Sequence, residues 1–302
     1  MPSPSKWQII AAFAAVYIIW GSTYLGIRFA IETMPPFLMA GIRFLIAGSL
    51  LFGWMLTRTD ERPTLRQWRS AFIVGGLLLM GGNGGVTWAE QYVPSALAAL
   101  VVAIVPLWVV LLDWLRPGGL RPGLPVFIGV LIGIGGIALL VGPDEFTPGE
   151  ALEPIGIIAL LAATICWASG TVYARHAQQP RSPFLTTGMQ MLAGGVLLTL
   201  AGTLSGDWAR LDVAAISARS WGAFIYLIFI GAIVAFTAYI WLLRVVPAPR
   251  VATYAYVNPV VAVFLGWAFA GETITGRTLV AAAVIIGSVV IINTYRYRRA
   301  NG

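Results

Sequence analysis

Two stretches of this chain, WGSTYLGIR at 20–28 and WASGTVYAR at 167–175, spell one pattern, Trp-x-Ser-x5-Arg. Each lies inside a long apolar run, and the match extends past the motif. At a constant offset of 147 residues, Pro36, Phe37, Leu38, Gly41, Leu45 and Gly48 meet identical residues at Pro183, Phe184, Leu185, Gly188, Leu192 and Gly195. At an offset of 153, Trp88, Val93, Pro94, Ala99, Pro106, Leu112, Trp114 and Gly118 meet Trp241, Val246, Pro247, Ala252, Pro259, Leu265, Trp267 and Gly271. Self-similarity of this length marks a duplicated unit.

The size of that unit follows from composition. The 302 residues are 59% hydrophobic and only 10% charged, with a mean hydropathy of +0.85. Such a chain has too little polar surface to be soluble and belongs in a bilayer. A bilayer core takes about 20 apolar residues per helix. Ten such spans fit end to end, near 7–28, 36–57, 68–91, 95–116, 124–142, 154–177, 184–206, 218–244, 248–270 and 276–296. The expected fold is therefore an all-α membrane protein of ten transmembrane helices, with one five-helix repeat in 1–145 and a second in 146–302. The first apolar run exceeds a signal h-region and shows no convincing small-residue cleavage site, so it is read as the first span.

The net charge of +7 is sorted by loop. With the N-terminus inside, the inner segments hold Lys6, then Arg58, Arg62, Arg66 and Arg69, then Arg116 and Arg121, Arg175 and Arg181, Arg244 and Arg250, and finally Arg296, Arg298 and Arg299. The outer loops keep Arg28, Arg210, Arg219 and Arg277, beside the acidic Asp144, Glu145, Glu150 and Glu153. This is the positive-inside pattern, and it places both termini in the cytoplasm. The basic residues thus report topology, and no nucleic-acid partner is expected.

Five spans per unit is an odd number, so the second unit enters the membrane from the opposite side. The halves then form an inverted repeat, the architecture of secondary transporters that work by alternating access around a midplane site. Cys166 and His176 stand alone of their kinds, leaving metal, thiol and histidine chemistry little to use. The single lysine, Lys6, excludes a phosphate-binding G-x-x-x-x-G-K-[ST] loop. No cofactor and no obligate protein partner is expected; the partners are a small-molecule substrate and the lipid bilayer. A membrane-embedded enzyme would need a nucleophile with its base, a metal cluster or an aspartate pair at membrane depth, and none is visible.

The ten spans in two five-helix halves, the W-G-S-T-Y segment of span 1, P-P-F-x-x-A-x-x-R-F-x-x-A in span 2 and the I-V-P and V-N-P segments of spans 4 and 9 resemble the EamA branch of the drug/metabolite transporter superfamily. Within it the chain is most similar to the YddG type of bacterial aromatic amino-acid exporter. The resemblance covers the whole chain. It implies a basket-like bundle in the bacterial inner membrane and a central cavity lined by both halves. The related small multidrug pumps carry a glutamate in helix 1, and residues 7–28 contain none.

Candidate substrate-binding residues follow from depth and polarity. Trp54, Trp88, Trp114, Trp241 and Trp267 fall near span ends, as belt residues do. Trp20, Trp108 and Trp167 fall mid-span, where an indole N–H needs a partner or a cavity. Arg43 lies about 10 Å below the outer surface at 1.5 Å per residue, where a charge must snorkel, pair or face water. Facing a cavity it would attract a carboxylate; its repeat equivalent is Gln190. Asn83 and Asn258 are in-span amides beside glycine or proline, able to bond a ligand or a freed carbonyl. Ser22 and Ser169 either line the pathway or bond back to their own helix, and Tyr24, Tyr239 and Tyr254 can add phenols. Pro106 and Pro259 are matched hinge candidates. The pairs Gly81/Gly85 and Gly129/Gly133 predict close helix packing. Proton coupling would want a carboxylate at depth, and Glu90 and Asp113 sit only near span ends. An exporter of amino acids, aromatic ones included, is the reading preferred over a broad drug or metabolite exporter.

Overall fold

The computed structural model describes residues 5–116, 123–141, 153–246, 251 and 253–301. Ten helices account for most of them: α1 (Lys6–Ala30), α2 (Pro36–Leu56), α3 (Leu65–Ala89), α4 (Ser95–Leu115), α5 (Leu124–Val141), α6 (Pro154–Ala174), α7 (Pro183–Leu204), α8 (Ala218–Leu243), α9 (Tyr254–Ala270) and α10 (Gly276–Asn301). Seven are long and apolar enough to cross a bilayer, and α5, α9 and α10 contribute the shorter apolar runs Leu124–Leu140, Val257–Ala270 and Gly276–Ile292. Their bounds follow the expected spans closely; the start expected for the ninth, at 248, lies outside the described residues. The acidic loop residues Asp144, Glu145 and Glu150, and the repeat positions Gly118, Pro247 and Ala252, lie outside the described residues.

Local chemistry sets the helix starts. Ser5 with Gln8, and Thr64 with Gln67, form reciprocal capping boxes that satisfy first-turn amides of α1 and α3. Proline opens α2, α6 and α7, where its missing N–H costs nothing and its φ is already helical. Large apolar side chains such as Leu50, Ile158, Leu200 and Phe264 face outward, as helices solvated by lipid require.

Packing repeats itself between the halves. Helix α1 lies against α8 and α9, and its counterpart α6 lies against α3 and α4; α2 meets α7, α4 meets α9 and α5 meets α10. Exchanging the first half for the second maps each contact onto another. The orientation of α2 against α7 is fixed at both ends. The first-turn amides of Phe37 and Leu38 donate to Asp207 Oδ2 at 3.1 and 3.2 Å, and Asp207 follows the C-terminus of α7. The amides of Arg181 and Ser182, which lead into α7, donate to Glu61 at 2.9 to 3.4 Å, and Glu61 follows the C-terminus of α2. The two helices run antiparallel.

Glycine permits that pair to close. A Cβ built at Gly48 would stand 2.8 Å from the backbone N of Leu192, and one at Gly195 2.9 Å from that of Leu45. The expected G-x-x-x-G contacts also appear, Gly81 and Gly85 against Cys166 and Ala163 of α6, Gly129 and Gly133 against Ile292 and Ser288 of α10.

Of the departures from regular helix, the π-helical segments had no counterpart in the sequence, whereas a break beside Pro106 was expected. Helices α3 and α8 each contain a π-helical segment, Gly76–Gly84 and Leu227–Val234, at equivalent places in the two halves. Helix α4 is interrupted between Val102 and Val105, where Pro106 cannot donate to Val102 and its ring crowds that carbonyl. Its match Pro259 sits inside α9, which continues through it as helix. The two prolines are therefore unequal: one accompanies a break, the other does not.

Candidate functional site

The candidates fall into two clusters and several isolated bonds. One cluster is polar and joins α1, α2 and α3. Arg43 is only 3% exposed, and its Nη2 donates to Asn83 Oδ1 at 2.6 Å. Asn83 belongs to the π segment of α3. The guanidinium lies over the neighbouring Phe44 ring, 4.4 Å from its centroid, while Nε has no hydrogen-bond partner. A buried cation with one strong bond and one free donor is unfinished chemistry, since buried polar atoms are ordinarily satisfied.

Glu90 stands at the end of α3 in the same electrostatic neighbourhood, together with Arg28, Tyr24 and Glu272. Its exposure is 0%, and neither carboxylate oxygen has a partner. Glu90 stands near the end of its span, as expected, and its side chain is nonetheless buried. Helix α3 ends in a hydrogen-bonded turn, and the carboxyl is enclosed by protein. Arg28 Nη1 reaches the backbone carbonyl of Glu90 at 2.6 Å. Glu272 caps α4, accepting from Ser95 N at 2.7 Å, Ser95 Oγ at 2.8 Å and Ala96 N at 3.0 Å.

The second cluster is aromatic and joins α1, α8 and α9. Trp20 packs with Tyr239 and Tyr254 at ring-centroid distances of 5.1 Å and with Phe236 at 6.0 Å; Tyr239 and Tyr254 meet edge to face at 5.8 Å. Edge and tilted contacts are the favoured aromatic arrangements. Beneath them the Asn258 amide, nitrogen directed at the backbone, donates to the carbonyls of Tyr254 and Tyr17 at 3.1 and 3.2 Å. Tyr17 Oη in turn bonds Thr253 Oγ1 at 2.5 Å. Asn258 thus ties α9 to α1.

Other candidates serve helix contacts. Ser22 Oγ bonds Ile19 O at 2.8 Å and Tyr226 Oη at 2.6 Å, linking α1 to α8. Ser169 donates back to Ile165 O. Trp108 Nε1 donates to Thr164 Oγ1 at 3.0 Å, from α4 to α6. Trp167 packs over α3 at Gly82, and Gln190, half-buried on α7 beside Gly75, has no bond to the Arg43–Asn83 pair. Clefts of about 690 Å³ beside Glu61 and Arg181, and 380 Å³ beside Trp267 and Glu272, include none of the candidates. Among the described residues, the candidates gather in a polar cluster around the buried Arg43 and a half-buried aromatic cluster around Trp20.

A family model, the EamA-like transporter family, matches residues 6–142 and again 154–294. The chain belongs to the EamA-like transporter family. Its two matches are two copies of one unit, the duplication first seen at Trp20 and Trp167. Among curated relatives it is 40% identical to the uncharacterized inner membrane transporter YedA of Escherichia coli K12, over 96% of this chain and 92% of that one. It is 28% identical to the uncharacterized transporter YvbV of Bacillus subtilis, over 96% and 92%. A solved structure 23% identical to it shares the fold at a TM-score of 0.63, covering 96% of this chain and 99% of the other. These names establish a membrane transporter and state no cargo. The aromatic amino-acid subtype therefore stands as a proposal.

Glu90, Tyr226, Phe236, Thr164 and Glu272 adjoin the candidates and were not among the site residues named from sequence. Only Glu90 left a readable sign, an acid inside the expected 68–91 span; the others are placed by contacts between helices distant in sequence.

Proposed function

We propose that the chain is a secondary transporter of the bacterial inner membrane that exports small metabolites, amino acids including aromatic ones, by alternating access between its two halves. The observation that carries this reading is the buried Arg43–Asn83 pair with its unpartnered Nε. Arginine presents donors in a fork that matches a carboxylate, and here one edge of the fork is held by Asn83 while another donor is unused. The aromatic group of Trp20, Tyr239, Tyr254 and Phe236 supplies the apolar surface that suits a ring or aliphatic side chain, in keeping with sites that are mostly apolar with a few placed polar groups. The matched π segments of α3 and α8, and the break beside Pro106, are places where the bundle can bend as it alternates.

Flux tests the reading. Purified protein in liposomes loaded with phenylalanine or tryptophan is expected to exchange labelled substrate without a pH gradient, and Arg43→Ala is expected to reduce that exchange on the order of 10-fold or more, the value of a lost charge-assisted bond. Exchange no faster than that of empty liposomes, from protein shown to be folded, would reject amino acids as cargo and favour the broader metabolite and drug spectrum.

A further inference from the structure

We propose that Glu90 is the ammonium-binding residue of the substrate site, so that Arg43 and Glu90 together select free zwitterionic amino acids over related carboxylates or amines. The inference rests on the amino-acid reading above and adds the group that reads the other end of the substrate.

Among the described residues, the buried side-chain atoms without a hydrogen-bond partner are Arg43 Nε and the two carboxylate oxygens of Glu90. One belongs to a cation and two to an acid, and Asn83, which holds Arg43, lies on α3 seven residues before Glu90, with no salt bridge between Arg43 and Glu90. An enclosed carboxyl group with no partner is a costly arrangement, and it is completed either by a proton or by a ligand that supplies donors. The surrounding charges are already engaged. Arg28 is turned to the Glu90 carbonyl, and Glu272 is used up on the first amides of α4. Tyr24 shares the same neighbourhood.

What remains is a guanidinium and a carboxyl group, each with free bonding capacity and each on the first half of the molecule. That is the complement of an α-amino acid, whose carboxylate can take the free Arg43 donor while its ammonium bonds Glu90. The repeat partners, Gln190 for Arg43 and Leu243 for Glu90 at the 153-residue offset, carry no charge. The charged recognition is therefore one-sided. Arg28 acts here as a positioning residue, holding the backbone of Glu90 at the turn out of α3.

The test is competition for labelled phenylalanine exchange in proteoliposomes by three unlabelled compounds: phenylalanine, N-acetylphenylalanine, which lacks the ammonium, and phenethylamine, which lacks the carboxylate. Wild type is expected to prefer phenylalanine over both analogues by on the order of 10-fold or more. Glu90→Gln is expected to abolish the preference over the N-acetyl compound while keeping the preference over phenethylamine, and Glu90→Asp to retain part of both. Wild-type protein that accepts N-acetylphenylalanine as well as phenylalanine would overturn the proposal even if Glu90→Gln failed to fold. So would a Glu90→Gln variant with its selectivity intact, including one altered only in its response to a pH gradient, which would make Glu90 a proton carrier. Absence of any amino-acid exchange in wild type would instead remove the underlying cargo reading, and this one with it.

Discussion

Asp207 is 1% exposed because one of its oxygens serves two amides, those of Phe37 and Leu38, at the start of a helix 169 residues away in the chain. These amides have no intrahelical acceptor, and the proline that opens α2 brings no capping side chain of its own. The carboxylate also meets the positive end of the α2 dipole. Asp207→Ala is therefore expected to destabilise the detergent-solubilised protein by about 1–2 kcal/mol, the usual worth of a cap, and Asp207→Asn, which keeps an acceptor oxygen, by less. Thermal unfolding of the two variants side by side checks this; equal losses would mean that the hydrogen bonds are not what Asp207 supplies. The residue scale is also where sequence reading succeeded and failed most unevenly. Arg43 was legible because a charge eight residues into an apolar helix has no cheap explanation. Glu90 was legible only as an acid near the end of a span, because the burial of its carboxyl comes from helices distant in sequence.

At the scale of elements, the helices were legible because bilayer thickness imposes their length and apolar composition. Their internal departures were less so. A π segment keeps the same side chains in an apolar run and shifts only backbone bonds, so Gly76–Gly84 and Leu227–Val234 left no compositional trace. The glycines behave differently, since the repeat itself singled out Gly41, Gly48, Gly188 and Gly195 by matching them in pairs. All four lie in the α2–α7 seam, where added Cβ atoms would meet backbone atoms at about 3 Å or less. Backbone cannot move aside as a side chain can, and overpacking of this kind costs about 1–3 kcal/mol. Gly195→Ala and Gly48→Ala are expected to lower thermal stability by that amount, whereas Gly222→Ala on α8, where a Cβ meets nothing within 4 Å, is expected to be neutral or stabilising. If Gly222→Ala were as harmful as the seam variants, the loss would have to come from something other than close approach.

At the scale of the whole molecule, the caps on α2 and α7 state the relation between the halves in local terms. Glu61, in the connection from α2 to α3, holds the start of α7, and Asp207, in the connection from α7 to α8, holds the start of α2. These connections are equivalent in the repeat, yet they sit at opposite ends of one antiparallel pair. If the pair spans the bilayer, equivalent loops must face opposite compartments, and the arginines between Arg58 and Arg69 mark the first as cytoplasmic. In a Cys166→Ser background, cysteines replacing the exposed Asp60 and Asp212 report on the two loops. A membrane-impermeant maleimide added to intact spheroplasts is expected to label Asp212→Cys at once and Asp60→Cys only after permeabilisation. Labelling of both from the same side would contradict the inversion, and with it the exchange of roles between halves on which alternating access depends. Labelling in the reverse order would keep the inversion but turn the molecule over, placing the Arg43–Glu90 cluster toward the cytoplasm instead of the outer face.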